Sequence, residues 1–107
     1  MQADLVKGHL DGMLLALVAE EPSHGYAVIE RLRARSAGAF DLAEGPVYPA
    51  LHRLERAGLL TSSTTKVQGR TRRIYRVTAR GKRRLSEAQT SWRSFALAVD
   101  QVLGAPA

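Results

Sequence analysis

Apolar residues along this chain switch between helical and strand-like spacing. Leu5, Leu10, Met13, Leu14, Leu17 and Val18 recur at helical intervals and predict a first helix from about Ala3 to Ala19. Gly8 and Gly12 interrupt it on another face. A helical glycine costs roughly 1 kcal/mol against alanine, so two of them four apart suggest close approach of another element or a ligand; the alternative is simple tolerance. Glu20-Glu21-Pro22 breaks the helix. Ser23 is a suitable N-cap for a second helix over about 24–35, with Tyr26, Ile29 and Leu32 as its inner stripe. Ser36 to Ala39 reads as a turn, and Phe40 and Leu42 alternate around Asp41 like a very short strand.

The segment from Glu44 to Leu60 predicts a third helix with two unlike faces. Val47, Leu51 and Leu54 form an apolar stripe, while Tyr48, Pro49, His52, Arg53 and Arg56 fall on the other side. Pro46 and Pro49 fit an early turn, where N–H groups lack helical partners anyway. Gly58 stops the helix. A hairpin follows: Leu60 to Val67 is rich in Ser, Thr and Val, Gln68-Gly69-Arg70 is the turn, and Arg72 to Val77 alternates. Thr78 is placed to cap a fourth helix, Ala79 to about Leu103, about 37 Å long at 1.5 Å per residue. Its apolar positions, Leu85, Ala88, Trp92, Phe95, Val99 and Val102, step by three and four in a heptad pattern. So long a stripe calls for another helix: that of a second copy, the first helix of the same chain, or a mixture of both.

Composition narrows the class. At 107 residues with 45% hydrophobic content the chain has the size of one small domain. Its net charge of +6 suggests a polyanionic partner. The distribution is more telling: no acid lies between Glu55 and Glu87, a stretch that carries Arg56, Lys66, Arg70, Arg72, Arg73, Arg76, Arg80, Lys82, Arg83 and Arg84. Arginine favours planar, two-pronged contacts with phosphate and guanine. With no Cys there is no disulfide framework. His9, His24 and His52 lack metal-ligand spacing, and no cofactor motif or nucleophile–base pair stands out, so neither a metal site nor an enzyme is expected. Met13 to Ala19 is too short an apolar run for a membrane span, and no signal peptide stands at the N-terminus. A cytoplasmic protein is expected.

The predicted order is two helices, a short strand, a recognition helix, a two-stranded wing and a long last helix. It implies a mainly α fold with a small β-hairpin: a winged helix-turn-helix over residues 1–78, plus a C-terminal dimerisation helix over 79–107 packed with the first helix. Three motifs in this order are similar to those of the PadR family of bacterial transcriptional regulators: His24-Gly25-Tyr26, Val47-Tyr48-Pro49-Ala50-Leu51-His52-Arg53-Leu54-Glu55-Arg56-Ala57-Gly58-Leu59, and Arg72-Arg73-Ile74-Tyr75-Arg76-Val77-Thr78 with Gly81. The single last helix resembles the family's smaller subgroup. The resemblance implies a homodimeric repressor of double-stranded DNA; some family members bind aromatic drugs or phenolic acids. One departure is at the start of the recognition helix, where many relatives carry Ser, Thr or Asn. Here Ala43 and Pro46 offer no hydroxyl.

The DNA-contact residues expected on this reading are Tyr48, Pro49, His52, Arg53 and Arg56 on the helix and Lys66, Arg70, Arg72 and Arg73 on the wing. Arg53 is expected to pair with guanine and Pro49 to touch a thymine methyl, with the wing arginines on phosphate or in the minor groove. Packing is the expected role of Tyr26. Leu85, Ala88, Trp92, Phe95, Val99 and Val102 are the expected dimer contacts. If two copies of the last helix face each other, the two Trp92 rings can clamp a flat aromatic or phenolic effector, with Leu5, Gly8, Gly12 and Ala96 leaving the space; otherwise Trp92 fills the dimer core. The rival reading, a winged-helix module that binds protein without specific DNA binding, fits the arginine-rich hairpin less well.

Overall fold

A computed structural model describes the backbone of residues 3–104 and the side chains of residues 8–104; the side chain of Leu5 therefore lies outside the described residues. The elements are α1 (Ala3–Glu20), β1 (Ser23–His24), α2 (Gly25–Arg35), α3 (Glu44–Arg56), β2 (Leu60–Val67), β3 (Arg70–Val77) and α4 (Ala79–Leu103). The architecture is mainly helical, with one antiparallel sheet in the order β1-β3-β2. It has the winged helix-turn-helix layout, α2 and α3 forming the helix-turn-helix and β2–β3 the wing.

The core is built where the apolar stripes meet. Leu10, Leu14, Leu15, Leu17 and Val18 of α1 pack with Val28 and Leu32 of α2 and with Val47, Ala50, Leu51 and Leu54 of α3. Tyr75 of the central strand and Leu60 complete it. Because four positions of α3 are buried, its opposite side is turned to solvent.

Several local expectations need correction. Ser23 does not cap α2. It pairs with Tyr75 in the sheet, and its hydroxyl receives Arg31 at 2.7 Å. The cap is His24, whose Nδ1 accepts the Ala27 N–H. The buried stripe of α2 is Gly25, Val28 and Leu32, one residue out of phase with the expectation at its start, which leaves Tyr26 half exposed rather than packed. Phe40 and Leu42 form no strand; they lie partly buried against the core from the loop before α3. The extra strand is β1, which pairs Ser23 and His24 with Tyr75 and Ile74. The wing turn is Gln68-Gly69 alone, and Arg70 already belongs to β3. Both turn residues have positive φ, 53° and 78°, as a two-residue hairpin turn of this twist requires.

α3 ends at Gly58 (φ 78°), with Leu59 N–H bonded to Leu54 O and Gly58 N–H to Glu55 O. This pairing satisfies the last carbonyls of the helix. Immediately beyond, Thr78 N–H returns to Leu59 O, and the Thr78 hydroxyl donates to Gly58 O at 2.7 Å and accepts the Gly81 N–H as the cap of α4. A Cβ on Gly81 would stand 2.1 Å from the Leu59 carbonyl oxygen. The first half of α4 lies on α1, where a Cβ on Gly12 would meet Ala88 at 3.2 Å. Further along, Trp92, Phe95, Leu97, Val102 and Leu103 are exposed.

Gly81→Ala should therefore destabilise the fold by about 1–3 kcal/mol, the usual cost of overpacking, because the clash is with backbone. Gly8 offers the contrast. Nothing among the described residues lies within 4 Å of a Cβ there, so Gly8→Ala should stabilise by up to about 1 kcal/mol. Urea denaturation of both variants checks the pair.

Candidate nucleic-acid interface

The outward side of α3 resolves into a centre and two flanks. With Val47, Ala50, Leu51 and Leu54 buried, 3.6 residues per turn set Gly45, Pro49, His52 and Arg56 along the row opposite the core. Tyr48 and Glu55 flank that row on one side and Arg53 on the other. Pro49, His52, Arg53 and Arg56 are all exposed, and Tyr48 is half-buried.

Tyr48 leans toward the start of α2. A Cβ on Gly25 would lie 2.1 Å from its ring, so the ring occupies space that only glycine leaves open. Tyr48 and His52 then share an open cleft of about 250 Å³ with His24, Gly25, Thr71, Arg72, Arg73 and Tyr75. A second depression beside it is lined by Tyr26, Glu44, Tyr48, Arg70 and Arg72. The recognition helix and wing thus present their polar groups to one shared surface. Lys66 lies near the wing tip, opposite Thr71, and is exposed.

Hydrogen bonds hold this surface in place. Glu55 accepts the Ser62 hydroxyl at 2.5 Å, and Arg73 donates to the same hydroxyl at 2.9 Å. This chain ties the wing to α3 and aims Arg73. On the other face of the hairpin, Arg76 donates to Ser63. Burial, and then the Glu55 carboxylate, push the Tyr75 phenol above its ordinary range, which keeps it neutral inside the core. Arg72 lies 3.4 Å from His24 Nδ1. Burial and the Arg72 charge hold the His24 imidazole below its usual value, so Nδ1 stays an acceptor for the helix cap. The start of α3 has no side-chain cap at Ala43, and Glu44 adds a carboxylate there.

Arg53 stands apart from this cleft. Its guanidinium is bonded to Asp11 of α1 at 2.5 Å, on the flank away from the wing. Asp11 and Glu44 did not stand out among the chemistry-bearing positions in the sequence. Asp11 is separated from its partner by 42 residues; Gly25, within the His24-Gly25-Tyr26 motif, carried a signal.

At the other end of the molecule, His9 meets the Trp92 ring edge-on with centroids 5.0 Å apart, and Phe95 lies 6.2 Å from Trp92. Ala96 is half-buried one turn beyond. Leu85 packs on the core, Ala88 and Val99 are half-buried, and Val102 is exposed.

Residues 14–87 match the model of the transcriptional regulator PadR-like family. A transcriptional regulator of Mycobacterium tuberculosis is 39% identical over 74 residues, 69% of this chain and 66% of its own. A transcriptional regulator from Clostridium thermocellum superposes with a TM-score of 0.89 at 23% identity, over 97% of this chain and 99% of that one. A PadR-like transcriptional regulator from Bacillus cereus gives 0.84 at 26% identity, over 97% and 100%.

The His24 cap makes stability pH-dependent. The imidazole titrates near 6.5 in the unfolded chain and lower in the fold, so the unfolded state binds the proton more readily. The cap's contribution is complete above about pH 6.5 and is lost as pH falls through the lowered folded value. His24→Asn keeps a cap acceptor without a titrating group. Its stability should fall less than wild type between pH 7 and 5 in denaturant titrations. Identical slopes would show that the cap does not titrate.

Proposed function

The chain belongs to the PadR-like family of transcriptional regulators, and from that premise we propose that it is a homodimeric, ligand-responsive repressor that reads double-stranded DNA with α3 and grips it with the wing. The observation that carries the DNA reading is the shared surface of Tyr48 and His52 with Arg72 and Arg73. Pro49, His52 and Arg56 form the row that enters the major groove. Lys66, Arg70, Arg72 and Arg73 take the phosphates, with the hydroxyl of Ser62 steadying Arg73. No helix among the described residues is long and apolar enough to cross a membrane.

On this reading residues 1–78 are the DNA-binding part and α4 is the dimerisation arm. Support comes from the uncovered second half of α4, where Trp92 and Phe95 are more than half exposed. The exposed part of their apolar area has no cover within the described residues. A second copy laid along it would extend the Leu85–Ala88 contact with α1 through Trp92, Phe95, Val99 and Val102. Trp92, already in contact with His9, is where a flat aromatic effector stacks, with Gly8 and Ala96 bordering the space; the room expected at Gly12 is taken by Ala88, and the expected Leu5 contact lies outside the described residues.

Selection of bound duplexes from a random pool, with light scattering of the free protein, tests the reading. A dimer should select a pseudo-palindrome with half-sites about 10 base pairs, or a multiple, apart. A monomer that still binds tightly would refute the dimer. Arg72→Ala and Arg73→Ala should each weaken binding to all sequences and lower the salt slope by up to about one counterion.

A planar dye should quench Trp92 fluorescence. Using the dye's own fluorescence as the readout, Trp92→Ala should weaken its binding by about 0.5–1.5 kcal/mol for each aromatic pair it removes while leaving the dimer assembled. Dissociation of the variant would instead assign Trp92 to the dimer core, where such a truncation costs roughly 3–5 kcal/mol. An intact dimer with unchanged dye affinity would dismiss the pocket.

A further inference from the structure

Among the described residues, Arg53 is the one cation of the recognition helix and wing that lies within 4 Å of a carboxylate. Asp11, its partner, sits on α1 next to Gly12, where α4 packs so closely that a Cβ would stand 3.2 Å from Ala88. The carboxylate is thus carried on a helix fixed by the core on one side and by α4 on another. It meets only one guanidinium nitrogen, Nη2, and the other donors of Arg53 make no hydrogen bond among the described residues. Both side chains are about half exposed, 55% and 47%.

We propose that Asp11 is an electrostatic brake on sequence-independent DNA binding and that it acts through Arg53. The inference rests on the DNA-binding reading above. Arg53 lies on the flank of α3, beside the row that faces the groove. The nucleic-acid groups nearest such a flank are the phosphates of the groove wall. An unpaired arginine there adds one phosphate contact to any duplex and releases one counterion, whatever the sequence. Asp11 removes most of that gain in two ways. Its bond must be surrendered before Arg53 can turn Nη2 to a phosphate, and its own charge repels the phosphate that approaches. Among the described residues the wing cations Arg70, Arg72 and Arg73 have no such carboxylate within 4 Å, so this brake acts at one flank only. Because the pair is half exposed, the effect is modest, in the range of surface ion pairs.

The test is fluorescence anisotropy of the full chain with a random-sequence 30-base-pair duplex at several salt concentrations. Asp11→Asn removes the charge, and Asp11→Ala removes the hydrogen-bond acceptor as well while favouring the helix. Both should bind the duplex about two- to fivefold tighter at low salt, with a log–log salt slope steeper by up to about one. In an Arg53→Gln background the same substitutions should lose most of that gain. Unchanged affinity and slope in the Asp11 variants would overturn the proposal. So would a gain that persists in full without Arg53, because the carboxylate would then act on the field of the whole surface. A wild-type chain that binds no duplex would instead overturn the DNA reading itself.

Discussion

The geometry of this molecule depends on the Leu59 carbonyl group and the bare backbone beside it. That oxygen receives the Thr78 N–H and sits where a side chain at position 81 would stand. Thr78 follows the last strand of the wing and caps α4; Gly58 and Leu59 form the turn that closes α3. Three elements are therefore joined within a few residues by short hydrogen bonds and one obligatory glycine. A rotation of α4 cannot occur there without straining the end of the recognition helix. Thr78 supplies both the cap and the bond to Gly58 O, so the same hydroxyl starts one helix and closes the end of another.

A second bare position does comparable work on the interface itself. Gly25 lets the Tyr48 ring approach the first turn of α2, and the ring in turn forms a wall of the cleft shared with His52, Arg72 and Arg73. Beyond the apolar packing of Leu60 and Tyr75 at its base, the wing is held to α3 through Glu55, Ser62 and Arg73. A carboxylate in a basic surface has two consequences here. It orders the hairpin, and it withdraws part of the charge that a phosphate would otherwise meet. Asp11 has the same relation to Arg53 on the opposite flank.

The fold was legible in the sequence because long amphipathic periods decide it. The α3 stripe of Val47, Leu51 and Leu54, the Gly58 stop, the Thr78 cap and the span of α4 all stand where spacing puts them. What failed was short-range. Ser23 is the better intrinsic cap, yet its backbone was needed by β3, and the cap moved one residue on to His24. Two residues of strand carry no periodicity, so β1 could not be seen, while Phe40 and Leu42 imitated a strand merely by tucking into the core. Tyr26 was misplaced because an aromatic reads as apolar, whereas the helix turned Val28 inward. Within the interface, residue types on α3 were readable, but their division into a central row and two flanks required the core to fix the helix rotation. The Asp11 contact joins positions far apart in the chain, and no local pattern announces it.

These contacts bear on how an effector at Trp92 would reach DNA in the proposed regulator. Two routes lead from α4 to α3. One runs through α1, from the His9–Trp92 and Gly12–Ala88 contacts to Asp11 and Arg53. Its last link is a half-exposed ion pair, worth at most about 1 kcal/mol, which limits it to a severalfold change in affinity. The other runs along α4 to its first turn at Thr78 and Gly81, where the contacts are backbone hydrogen bonds and a steric stop. A ligand shifts an equilibrium only by its differential affinity for the two states, and a stiff junction passes that difference on with little loss. In the proposed dimer the larger response would therefore travel through α4 as a lever, changing the spacing and angle of the two recognition helices, while the α1 route would tune the charge that each helix presents.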